Sequence, residues 1–167
     1  MHAFILTRLD ICNSVFCRGS DKLICQLQCI QNQAARILIG CPKFDHITPI
    51  LHDLHWLPVS DRSVFKIVVI VYKCLHGSAP LYQTKRIAPK VVRPGRRELR
   101  SDDLNLLILH RSEPLVGSNN FSIIGPTIWN NLPHNLRQLN LSFAMFLKQF
   151  KAFLFGKRFM EQHTQPL

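Results

Sequence analysis

The sequence predicts a mainly α-helical domain with a small β element after a basic loop. Three observations lead there. Apolar residues recur at helical spacing through several long segments, each bounded by glycine or proline. One basic, proline- and glycine-bearing run, 85–103, interrupts them. A single short stretch after it, "LNLLILH" at 104–110, reads as a strand. The expected organisation is a helical segment at 1–84 and the basic loop at 85–103. A short strand with C-terminal helices follows at 104–156, in the same domain, and then a tail at 157–167.

Residues 1–16 read as an apolar helix with no cap at its start, as if the chain continued from a preceding segment; Gly19 and Ser20 break it. Residues 21–39 form a stronger helix. Ser20 suits the N-cap, Asp21 the first turn and Gly40 the stop, with Pro42 beyond. Leu23, Leu27, Ile30, Ala34 and Ile37 or Leu38 give one apolar stripe. Thr48 and Pro49 read as a cap and first helical position for a short helix ending near 56–58. Ser60 is the expected cap of a segment reaching His76, with Gly77 as terminator. Its β-branched run (Val68, Val69, Ile70, Val71) favours a strand, but its unbroken length between Pro58 and Gly77 favours a buried helix, and a helix is expected. The last helix, 142–155, starts at Ser142. It carries Phe143, Phe146, Phe150 and Phe153 in a heptad-like seam, read as core or as a contact for self-association or a polymerase domain.

A chain of 167 residues suits one domain and can bury about 70% of its unfolded surface. With 47% hydrophobic and 19% charged residues it is globular rather than disordered. The net charge of +11 favours polyanions, nucleic acid before acidic membrane. Lys85, Arg86, Lys90, Arg93, Arg96, Arg97 and Arg100 face Glu98 alone, which places +6 of that +11 in sixteen residues. These seven are the candidate nucleic-acid contacts, for RNA or DNA. Six cysteines in apolar segments, with no Cys-x-x-Cys pair, read as buried reduced thiols in the nucleus or cytoplasm. No apolar run approaches the ~20 residues of a membrane helix; "VFKIVVIVY" is short and contains Lys66.

Chemical motifs are sparse. "FDHITPILHDLHWLPVSDR" (44–62) gathers His46, His52 and His55 with Asp45, Asp53 and Asp61, yet no cysteine joins them at zinc-finger spacing. It reads as a short amphipathic helix with Ile50, Leu51, Leu54 and Trp56 inward and the histidines at the margin. Asp102 and Asp103, the one carboxylate pair, follow the basic loop rather than an apolar strand, and capping beside arginines fits them better than two-metal chemistry. No phosphate-binding glycine loop or nucleophile elbow is present, so no catalytic residue, metal or cofactor is expected.

Several phrases occur together in order: "LDICNSVF", "LQCIQNQAARILIG", "KFDHITPILHDLHWLPVSDRSVFKI", "VYKCLHGSAPLY", "LRSDD", "IGPTIWNNLPHNLRQ" and "FLKQFKAFLF". Across residues 3–155 the chain resembles the region downstream of the polymerase palm in reverse transcriptases of LINE-type, non-LTR retrotransposons. The resemblance implies a part associated with reverse transcription that helps hold template RNA or target DNA. It implies no catalysis here, because the family's aromatic-x-Asp-Asp motif has no counterpart in this chain. Ile11, His110, Glu113 and Asn119 depart from the family pattern. These departures weaken the expectation of phosphate contact at 110–120 and suggest a decaying copy, a remnant or fragment of an element.

Overall fold

The computed structural model describes Thr7, residues 21–89, residues 105–109 and residues 120–163, with backbone alone for 158–163. Apart from Thr7, which is helical, the expected helix at 1–16 lies outside the described residues, as do the Ser20 cap and Lys90 through Asp103. The fold is mainly α-helical. The elements are α1 (Asp21–Ile39), α2 (Ile47–Asp53), α3 (Val59–Leu75), α4 (Leu81–Thr84), α5 (Phe121–Asn130), a 3₁₀ turn (His134–Leu136) and α6 (Phe143–His163). The chain divides into two units. One comprises Met1–Val64 with Lys151–Leu167, the other Phe65–Phe150, so the division falls within α3 and within α6.

In the first unit, Ala35, Leu51 and Trp56 form the buried centre, packed by Ala34, Leu38, Ile47, Ile50 and Leu54. The inward face of α1 is only partly the stripe read from its apolar spacing: Leu27, Ala34 and Leu38 are half-buried. Gln31 and Ala35 are its buried residues, whereas Leu23 and Ile30 are exposed and Ile37 is 75% exposed. The face is turned toward Gln31 because the glutamines bind backbone. Gln31 Nε2 donates to the Leu57 carbonyl at 2.9 Å. Gln28 Oε1 accepts from the Val59 N–H at 2.9 Å, while its amide donates to Gln31 Oε1 at 3.0 Å and Asn32 Oδ1 at 2.8 Å.

Gln28 thereby caps α3 from another helix. The N-terminal N–H groups of a helix lack intrahelical partners, and an amide oxygen serves where the local sequence offers none. This corrects the Ser60 cap: α3 opens at Val59, the Arg62 N–H bonds the Pro58 carbonyl, and Ser60 lies inside the first turn. Thr48 is likewise inside α2, whose N-cap is His46, so Pro49 sits in the first turn, where a missing N–H costs nothing. The helical reading of 59–75 holds: Val59, Ile67, Val68 and Val71 are buried by packing that outweighs the β preference of such residues.

All three of these helices close on a left-handed residue. Gly40 (φ 74°) and Gly77 (φ 66°) end α1 and α3 as expected, and His55 (φ 55°) does the same after α2. There the Trp56 N–H bonds the Leu51 carbonyl at 2.8 Å and the His55 N–H bonds the His52 carbonyl at 2.9 Å, a Schellman closure. α6 runs to His163, past the expected end at 155. Gly156 alone does not stop it, and the residues after it favour helix until Pro166.

In the second unit, Val68, Val71, Tyr72, Trp129, Phe146 and Phe150 are buried. Gly125 of α5 makes their approach possible: a Cβ there would stand 3.0 Å from Val71 Cγ2 and 3.3 Å from Ile87 Cδ1. The expected strand at 104–110 is reduced, among the described residues, to one antiparallel bridge between Leu107 and Pro89. A side chain takes the place of a second strand. Asn130 Oδ1 accepts from the Leu107 N–H at 2.9 Å and its Nδ2 donates to the Leu107 carbonyl at 3.0 Å. The Trp129 indole donates to the Asn105 carbonyl at 3.0 Å. The Leu107 N–H and carbonyl and the Asn105 carbonyl are thus satisfied by side chains rather than by a sheet.

Two stability outcomes follow. Gln31→Leu leaves the buried Leu57 carbonyl unpaired and lowers unfolding free energy by about 1–3 kcal/mol in urea titrations, whereas Ile30→Gln, on the exposed face, stays within about 0.5 kcal/mol. Gly125→Ala and Gly156→Ala take opposite signs. Val71 is fully buried and stiff about χ1, so the first is destabilising by about 1–3 kcal/mol; the second meets nothing within 4 Å and stabilises by roughly 0.5–1 kcal/mol.

Candidate functional site

The 44–62 stretch resolves into scaffold. Leu51 and Trp56 are buried, Ile50 and Leu54 half-buried, and His46, His52 and His55 exposed, as expected from their amphipathic spacing. His52 Nδ1 lies 3.9 Å from Asp53 Oδ1 with the side chains 65% and 78% exposed, an arrangement worth little in water. His55 Nδ1 donates to the His52 carbonyl at 2.9 Å, which supports its own left-handed turn. Among the described residues no group of three His, Cys, Asp or Glu could hold a metal ion. A cavity of about 830 Å³ opens beside this stretch, lined largely by apolar side chains including Ile24, Leu51, Trp56 and Phe155.

The thiols do not sit as the sequence suggests. Of the described cysteines only Cys74 is buried; Cys25 and Cys29 are exposed because the buried face of α1 is the glutamine face. Burial pushes the Cys74 thiol up from its ordinary range, with an opposing hydrogen bond from Thr84. No helix among the described residues is long and apolar enough to cross a membrane.

Of the seven basic candidates, Lys85 and Arg86 are described, and both are exposed. They follow α4 directly. Arg86 Nη1 donates to Asn120 Oδ1 at 3.4 Å, and the same oxygen caps α5 through the Ser122 N–H at 3.2 Å. Lys90, Arg93, Arg96, Arg97 and Arg100 lie outside the described residues. Charge is unevenly shared. The second unit, 65–150, holds 12 basic and 4 acidic residues, a net of +8 out of +11. Its described residues include Lys66, Lys73, Lys85, Arg86, Arg137 and Lys148 and no carboxylate. Arg137 is structural: it is buried, donates from Nε to the Leu132 carbonyl at 3.0 Å, and desolvation lowers its proton affinity.

The phenylalanine seam of α6 is core at its centre. Phe146 and Phe150 are fully buried among Tyr72, Trp129 and Phe65, so they are not available to a second copy or another domain, and of the four only Phe143 is exposed. The rings form a series with centroid separations of 5.5 Å (Phe65–Phe150), 5.8 Å (Phe150–Phe146), 4.2 Å (Phe146–Tyr72) and 3.9 Å (Tyr72–His76). Sequence reading found the phenylalanines but not Tyr72 and His76, whose place in the series depends on a neighbouring helix.

Comparison with protein-family models, curated proteins and solved structures gives no match to this chain.

Burial holds the Tyr72 phenol above its ordinary range, and its hydroxyl donates to the Leu141 carbonyl. The folded protein therefore keeps this proton at a pH where the unfolded chain has lost it. The stabilisation is complete below the unfolded value of about 10 and is lost as pH rises through the folded one. Thermal melts between about pH 9 and 11 should show a steeper alkaline fall in the native chain than in Tyr72→Phe.

Proposed function

We propose that this chain is a non-catalytic, nucleic-acid-binding module, a remnant or fragment of the post-polymerase region of a LINE-type reverse transcriptase. The observation that supports the reading best is the segregation of charge. A net +8 falls on the second unit, and +6 of it on residues 85–100. Cations in excess of carboxylates neutralise phosphates and release counterions, which gives affinity without sequence preference. Lys85 and Arg86 stand exposed at the entry to the arginine-rich run, where phosphates can reach them. The order of motif phrases along the chain supports the family part of the proposal.

A second reading has its own observation. Leu23, Ile30 and Ile37, at seven-residue spacing on α1, are exposed. Apolar stripes of this kind mark surfaces that dock on another domain. On that reading the chain is scaffold for a polymerase domain and binds nothing alone.

Fluorescence anisotropy with labelled RNA and DNA across a salt series separates the two. A binding module gives a log–log salt slope of about −4 to −6, and Ala at Arg93, Arg96, Arg97 and Arg100 together reduces that slope by about 3. Affinity unchanged by the four substitutions refutes the assignment to the basic loop. Absence of binding by folded protein favours the scaffold.

A further inference from the structure

The stretch from His76 to Arg86 presents two exposed rings and two exposed cations just before the arginine-rich run. His76 follows the last residue of α3. Gly77 turns left-handed behind it, and the Ser78 N–H closes the helix on the Lys73 carbonyl at 2.9 Å. The imidazole is held on two edges: Nδ1 is 2.9 Å from the Tyr72 carbonyl oxygen and Nε2 is 3.0 Å from the Leu139 carbonyl oxygen. One face lies on Tyr72, with centroids 3.9 Å apart and planes within 18°. Phe146 stacks on Tyr72 at 4.2 Å and 20°, and it occupies the opposite face, because two parallel rings cannot share one face at such distances. Among the described residues His76 is therefore the terminal ring of a column that continues through Phe146 and Phe150 to Phe65. It remains exposed, and with one face and two edges engaged, its solvent side is the outer face.

A second ring stands nearby in the chain. Tyr82 is 67% exposed, its hydroxyl oxygen accepting from Gln83 Nε2 at 3.3 Å. Lys85 and Arg86 follow it. On the side of His76, Lys73 Nζ lies 5.3 Å from the centroid of the Phe143 ring, which is 41% exposed and tilted against Tyr72 at 5.8 Å.

We infer that the outer face of His76 is a stacking plate for a base of single-stranded nucleic acid, with Tyr82 as a second plate and Lys85 and Arg86 taking the adjoining phosphates. The inference rests on the nucleic-acid reading above and says where bases, rather than phosphates, are held. Both ring nitrogens of His76 already face carbonyl oxygens, so the ring offers a face and no free edge. Such a plate accepts any base, since every base has a π-face, and it requires a strand whose bases are not paired and stacked in a duplex. The ring is held by a hydrogen bond from a ring N–H to a facing carbonyl and by the column behind it, so little conformational freedom is lost on stacking.

The test uses the full chain and four labelled oligonucleotides: single-stranded RNA and DNA, each with a matched strand of the same length lacking bases. Stacking on one ring favours base-bearing strands by about fivefold or more. His76→Ala should lower that ratio severalfold, and His76→Ala with Tyr82→Ala should bring it close to one, while both leave affinity for the abasic strands unchanged. His76→Phe, which keeps the plate but cannot make the two carbonyl contacts, should preserve it. Equal binding of base-bearing and abasic strands by the native chain overturns the inference and leaves phosphate binding standing. Loss of the ratio in His76→Phe as well as in His76→Ala also overturns it, since the role is then hydrogen bonding. Failure to bind any of the four strands refutes both this inference and the reading on which it rests.

Discussion

The first unit depends on two glutamines holding one turn. Gln31 and Gln28 take the Leu57 carbonyl and the Val59 N–H, the two backbone groups that flank Pro58. Pro58 has no N–H of its own, and a helix beginning there needs partners for its first donors. Buried amides that satisfy each other and the backbone cost little, whereas unmatched they would be among the most destabilising groups available. The clamp sets where α3 begins and which side of α1 faces inward. With that side committed to Gln28, Gln31 and Ala35, the residues Leu23, Ile30, Ile37, Cys25 and Cys29 fall outward. The same geometry leaves His46, His52 and His55 at the surface.

The second unit is organised by rings and by one asparagine. Phe65, Phe150, Phe146 and Tyr72 supply apolar area, and offset or parallel aromatic pairs add about 0.5–1.5 kcal/mol each beyond burial. Asn130 pairs with Leu107 as a neighbouring strand would, so the segment after the basic run is anchored without an exposed sheet edge that could recruit other chains. Among the described residues of this unit, Arg137 is the one charged side chain that is buried. Lys85, Arg86 and Lys148 are exposed, and the unit's described residues hold no carboxylate. The proposed function follows from that division of labour between core and surface.

The limits of several helices were legible in local signals. The span of α1, its stop at Gly40, the stop of α3 near Gly77 and the Ser142 start of α6 all rest on residues within one turn of the feature. The inward set Leu51 and Trp56 followed from amphipathic spacing. The charge asymmetry and the succession of family-like phrases needed no structure at all. Signals of this kind act through the chain's own neighbours, so a linear reading captures them.

Tertiary structure alone decided what is chosen across distance. Gln28 caps a helix that starts 31 residues later, Asn130 completes Leu107 from 23 residues away, and Tyr72 reaches the Leu141 carbonyl across 69. The first two replace a local solution the sequence suggested, a serine cap and a strand. No period or cap rule encodes such partners, because a polar side chain is placed by whichever unsatisfied backbone group packing brings near it. The sequence by itself determined helical content, several of the helix ends and the place of positive charge. The fold determined which faces are hidden and which are exposed, because burial is set by packing between distant segments.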